Sequence, residues 1–119
     1  MTVSEEWVKK ALEDLESAKY NFKGGLWGNA AFFAQQAAEK ALKALFIKRF
    51  KFLMKIHDLV TLAKKLKCPN YLKVLCNNLN PHYTETRYPT GRKHTQEMAE
   101  EAIKNSGKVI EWVKKELRK

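Results

Sequence analysis

The stretch at residues 30–50, AAFFAQQAAEKALKALFIKRF, constrains the chain more than any other. It holds no glycine and no proline, and its Ala, Gln, Glu, Lys and Leu are nearly all strong helix formers. A long helix is therefore expected through about Phe50, with Asn29 as its cap. Ala30, Ala34, Ala37, Ala38, Ala41 and Ala44 fall near one side of it. Such short side chains let a neighbouring helix axis come to the near end of the roughly 8–10 Å packing range. The stripe has to be covered by other helices.

Those helices are written on either side. Thr2 and Glu5 have capping-box spacing, and Trp7, Ala11, Leu15, Ala18 and Phe22 then recur every three or four residues, predicting a first helix from about 3 to 23 that Gly24-Gly25 ends. After the connection 51–56, His57 or Asp58 can cap a third helix, with Leu59, Leu62, Ala63 and Leu66 inward, until Cys68-Pro69 stops it. A short fourth helix follows in NYLKVLCNNL, and Asn80-Pro81 stops that. Thr95 caps the last helix, whose apolar stripe runs from Met98 to Leu117. Residues 81–94 show no period and are expected to be the longest irregular stretch, of the kind that carries function in compact domains. Nothing alternates with period two. The expected architecture is all-α: one domain over 1–119, an antiparallel up-and-down four-helix bundle with an additional short helix.

Charge narrows the class of function. The 23 Lys+Arg against 13 Asp+Glu give a formal net charge of +10, which attracts polyanions over long range, nucleic acid first. The competing explanation is a Lys-rich and Glu-rich surface of a thermophilic kind. From Lys48 to Lys67 there are seven basic residues against Asp58 alone, interleaved with Phe50 and Phe52. That segment is either a backbone track with stacking rings or a set of core or dimer rings whose lysines alone meet solvent. No layout of a secretory signal and no apolar run of the roughly 20 residues that span a bilayer are present, so a cytoplasmic location away from membranes is expected. Cys68 and Cys76 lack metal-site or redox spacing and are expected as free, buried thiols; no cofactor is expected.

The chemistry concentrates in TRYPTGRKH, residues 86–94. Cleaving RNA without metal needs a group to take the 2'-OH proton, a group to protonate the leaving oxygen, and donors for the charge that builds on phosphorus. His94, with six residues between it and Arg87, can act as acid or base, and Arg87 offers a planar fork for two phosphate oxygens. Arg92 and Lys93 add positive field, and Tyr83 or Tyr88 a stacking face. His57 and Asp58, opening the third helix, can face the same cleft as ligand-binding groups. The structural alternative is a turn shaped by Pro89 and Gly91, with Arg87 paired to Glu85 or Glu97 and His57 only capping or packing.

Three segments together resemble the HEPN family (higher eukaryotes and prokaryotes nucleotide-binding domain). They are AFFAQQAAEKALKALFI at 31–47, HDL at 57–59, and TRYP at 86–89 before AEEAIKNSGKVIEWVKK, preceded by the N-terminal EEWVKKALEDLESAK. The resemblance implies a compact helical bundle, frequent homodimers, and a minimal nucleotidyltransferase as partner in toxin and antitoxin pairs. It also implies that Arg87 is the arginine of an Arg-x4–6-His element, which family members that cut RNA use and others lack. Two functions are therefore carried forward: an RNA or nucleotide-binding protein working with a nucleotidyltransferase, and a metal-independent endoribonuclease using Arg87 and His94.

Overall fold

The computed structural model describes all of residues 1–119 and contains six helices: α1 (Val3–Lys23), α2 (Trp27–Phe50), α3 (Leu59–Lys65), α4 (Asn70–Leu79), α5 (Pro81–Glu85) and α6 (Gln96–Leu117). The architecture is all-helical, as the periodicity predicts. Three of the caps are those legible in the sequence. Thr2 Oγ1 accepts from the Glu5 amide at 3.1 Å, Asp58 Oδ1 from the Val60 amide at 3.0 Å, and Thr95 Oγ1 from the Met98 amide at 3.2 Å.

The long central helix α2 is wrapped by α1 and α6, and α4 closes the bundle against α6. Alanine makes this possible. All six alanines of the stripe are buried, as are Ala11 and Ala18 of the facing α1, so two backbones approach with little side chain between them. Leu42, Leu45, Leu59, Leu62, Leu66, Leu72, Leu79 and Val109 fill the remaining core. A polar pin crosses the α1–α2 seam, where the buried Asp14 accepts from Lys40. Cys68 and Cys76 are free and buried, and burial pushes their thiols up to about 11 and about 12.

Two places depart from expectation. Asn29 is not the cap of α2: the helix starts three residues earlier than that cap would set, with Leu26 at the cap position and no side-chain hydrogen bond there. Gly25, at φ 76°, turns the chain so tightly that the Trp27 ring closes edge-on against Phe22 at 5.2 Å. Packing of a half-buried indole on Phe22 thus replaces a polar cap, and Asn29 instead reaches Asn21 Oδ1 at 3.5 Å.

The second departure bears on function. Residues 81–94 are not wholly irregular, because Pro81 both ends α4 and occupies the first position of α5. Proline lacks the amide hydrogen that a first helical turn leaves unpaired in any case, so one residue serves both purposes. One turn of helix is enough to fix His82 and Tyr83. Thr86 Oγ1 then donates to the His82 carbonyl at 2.7 Å and locks the exit of the turn.

Candidate functional site

The site is built where α5 and the segment after it lie against α2 and the start of α3. Gln35, Glu39 and Lys43 follow one another at four-residue spacing along α2, and all three are buried. The Glu39 carboxylate accepts from Lys43 Nζ at 2.9 Å and from His57 Nδ1 at 3.0 Å. Gln35 Nε2 lies 3.5 Å from both Glu39 Oε1 and the His57 carbonyl. A carboxylate can only accept, so Nδ1 carries the hydrogen and Nε2 is the nitrogen left for a ligand. The His57 side chain is 52% exposed. Glu39 thus fixes from below a ring that is open from above.

Tyr83 of α5 stacks on that ring, centroids 4.3 Å apart and planes 17° from parallel. The Arg87 guanidinium lies 4.9 Å from the centre of the Tyr83 ring. A cation on an aromatic face is attracted by the ring quadrupole and keeps its edge donors available. No ion pair or side-chain hydrogen bond uses Arg87, although Glu85 is two residues away. Glu85 is occupied elsewhere, accepting from Arg92 Nε at 2.8 Å. Arg87, Tyr83 and His57 therefore form one exposed cationic and aromatic cluster.

His94 sits in a different group. Its Nε2 is 2.8 Å from Nδ1 of His82, and it shares no partner with Arg87. With Glu85, Thr86 and residues 25–29 it lines a shallow cleft of about 350 Å³. Burial pushes the His82 ring down to about 4, with the neighbouring His94 and Arg92 adding to it, and burial also lowers His94. At neutral pH both rings are uncharged, so one nitrogen of the pair donates and the other accepts.

The remaining candidates have distinct settings. Asp58 caps α3 and also accepts from Asn80 Nδ2 at 2.7 Å and Thr61 Oγ1 at 3.0 Å, which holds its carboxyl below the usual carboxylate range. Asn80 Oδ1 in turn accepts from the Leu59 amide at 2.8 Å, tying the start of α3 to the α4–α5 junction. Tyr88 and Lys93 are exposed, and Arg92 is held by Glu85. Sequence reasoning did not single out Gln35, Glu39, Lys43 or Asn80. The signal for the first three was present: polar residues at i, i+4 and i+8 on a mostly apolar helix share one line along its surface.

Comparison with known proteins places the chain and its fold. The family model described as HEPN domain matches residues 4–117. The Methanocaldococcus jannaschii protein named "Putative toxin MJ1304" is 29% identical over 132 aligned residues, spanning 91% of this chain and 84% of that protein. Among solved structures, TT1696 from Thermus thermophilus superposes with a TM-score of 0.88 at 28% identity, covering 98% of this chain and 99% of that one. ST0689, described as an archaeal HEPN homologue, gives 0.81 at 31% identity, with 96% and 97% covered. A HEPN domain protein of Thermotoga maritima, tm0613, has the same fold at 24% identity and a TM-score of 0.80, over 96% of this chain and 98% of that one.

Proposed function

The chain belongs to the HEPN domain family, and on that premise we propose that it is a toxin-like protein that binds RNA or a nucleotide through Arg87, Tyr83 and His57. In this reading it acts as a cytoplasmic homodimer, paired with a nucleotidyltransferase in a toxin and antitoxin system. The likeness to the M. jannaschii protein supports the toxin side. The nucleotidyltransferase partner follows from the resemblance of the TRYP and AFFAQQAAEKALKALFI segments to the family.

The observation that carries the binding role is the unpaired Arg87 guanidinium held against Tyr83. An arginine already bound to a carboxylate must lose that bond before it takes a phosphate; Arg87 has none to lose. Its fork can meet two phosphate oxygens at once. His57 Nε2 supplies a further polar contact, and Tyr88 and Lys93 of the same segment are exposed to a ligand. Asp58 and Arg92 support the site from their own bonds, and the net charge of +10 raises the rate of encounter with a polyanion.

A second reading is kept because one observation favours it. Two neutral imidazoles 2.8 Å apart constitute a proton donor and a proton acceptor in contact, which is the equipment of acid–base catalysis. In that case Arg87 holds the scissile phosphate and His94 moves the proton of a metal-independent endoribonuclease.

Incubating the purified protein with total RNA, without metal, separates the two when Arg87→Ala and His94→Ala are run beside it. Binding alone gives no cleavage, RNA retention by His94→Ala and loss of retention by Arg87→Ala. Cleavage that disappears in both variants establishes the nuclease. Cleavage equal in all three removes the proposed site.

A further inference from the structure

Two clefts lie end to end along the seam where α1 and α6 run side by side, with volumes of about 360 and 500 Å³. Glu16 lines one and its neighbour Leu15 the other, as do Ile103 and Lys104 across the seam, so the two make one groove. From Glu100 to Lys115 it follows α6 for roughly 22 Å, about four helical turns. Neither Arg87 nor His94 lines it.

The floor of the groove is apolar. Leu12, Leu15 and Ile103 pack against the core yet are only half-buried, and Phe22 continues the line. They stay open because α1 and α6 both lean on α2, and no further helix of the chain lies over their outer side.

Gly107 is the informative residue. It stands near the middle of α6 and within the groove, although glycine is the least favourable helix former after proline. The fold does not require it: its φ is not positive, and a methyl group built on it would meet no atom within 4 Å. A missing side chain lets a second helix axis come close, which is what the alanines of α2 do on the inner side of this same pair. Gly107 leaves such room on the outer side, where the chain has no helix to fill it.

Charge decides what fills it. Six lysines and three glutamates line the groove, an excess of three positive charges. Lys23, Lys104, Lys108, Lys114 and Lys115 take part in no ion pair. A second copy docked groove to groove would set lysines against lysines, and a nucleic-acid backbone would leave the apolar floor wet. An amphipathic helix with acidic flanks meets both demands: its apolar stripe covers the floor and its carboxylates reach the lysines. We propose that the α1–α6 groove docks an acidic amphipathic helix of a partner protein, with a small residue of that helix seated on Gly107. The inference is independent of the phosphate assigned to Arg87.

The probe is a fluorescent helical peptide of about eighteen residues, with leucines at three- and four-residue spacing, alanine at its centre and glutamates beside the stripe. Anisotropy reads its binding to the full chain. It should bind saturably, and the same peptide with lysine in place of glutamate should bind roughly tenfold or more weakly. Gly107→Gln should weaken the acidic peptide by a similar factor without lowering the thermal midpoint, because the new side chain enters open space. Lys104→Glu combined with Lys108→Glu should weaken the acidic peptide and strengthen the lysine one, a reversal that a damaged fold does not produce. Absence of saturable binding, equal binding of the two peptides, or undiminished binding by Gly107→Gln would overturn the proposal. So would displacement of the peptide by single-stranded RNA from the Arg87→Ala chain, or dissociation of a dimer by the peptide in sedimentation; these outcomes give the groove to RNA or to a second copy.

Discussion

Gly91 shows how one residue fixes the segment that carries Arg87. A methyl group built on it would stand 2.2 Å from the Glu85 carbonyl oxygen, a backbone atom that cannot swing aside. The close approach also sets Arg92 against Glu85. Gly91→Ala should therefore move the whole 86–94 segment, costing about 1–3 kcal/mol by overpacking and lowering the thermal midpoint by several degrees. His82 gives a second prediction at this scale. Its folded value is depressed to about 4 from an ordinary 6.5 by burial, so between these values the unfolded chain binds the extra proton. The stabilisation is complete above about pH 6.5 and fades as pH falls towards 4, by an amount on the order of 2–3 kcal/mol. Denaturant midpoints across pH 4–7 should fall more steeply for the parent chain than for His82→Gln. Neither effect was legible in the sequence. Eleven residues separate His82 from His94, and only the unforeseen turn of α5 brings the rings together.

Among the elements, α2 carries both the core and the support of His57. Its helical nature was plain from composition, and so were the ends of α1, α4 and α6, because Thr2, Pro81 and Thr95 act locally. The start of α2 was not, since an indole packed on Phe22 replaces the polar signal. The burial of Gln35, Glu39 and Lys43 was obscured for another reason: at four-residue spacing, charged pairs usually mark a solvated face. Here that face is covered. Removing Glu39 leaves the Lys43 ammonium buried without its carboxylate, so Glu39→Ala should cost about 3–5 kcal/mol in urea unfolding. Glu39→Leu combined with Lys43→Met removes both charges and should recover most of that loss. A double mutant no more stable than Glu39→Ala alone would show that the ion pair is not what the buried line depends on. The phenylalanines at the end of α2 and just after it divide between the alternatives set by the sequence. Phe46 is buried, and the half-exposed Phe50 and Phe52 pack on its ring at 4.6 and 5.2 Å.

At the scale of the whole molecule, the basic charge and the site sum to a single expectation. The fold class was readable because every long segment repeats at helical spacing, and no helix is long and apolar enough to cross a membrane. The partition of the candidates was not readable. Sequence spacing puts Arg87 and His94 into one motif, while the fold gives Arg87 to Tyr83 and His94 to His82. Part of the basic segment is likewise structural: Arg49 donates to the Leu66 carbonyl and to Glu116, both at 2.7 Å, and Lys48 to the Leu117 carbonyl at 3.1 Å. These residues tie the end of α2 to α6 and so are less free to meet a ligand than Arg87. The most direct measurement is the affinity for a short fluorescent single-stranded RNA over a range of salt concentrations, for the parent chain and Arg87→Ala. A charge-assisted phosphate contact is worth about 1.5–3 kcal/mol, so the variant should bind roughly tenfold or more weakly. Its plot of log K against log salt should be shallower by about 0.7, the share of one phosphate on a single strand. Equal affinity and equal slope for the two proteins would contradict the assignment of a phosphate to Arg87.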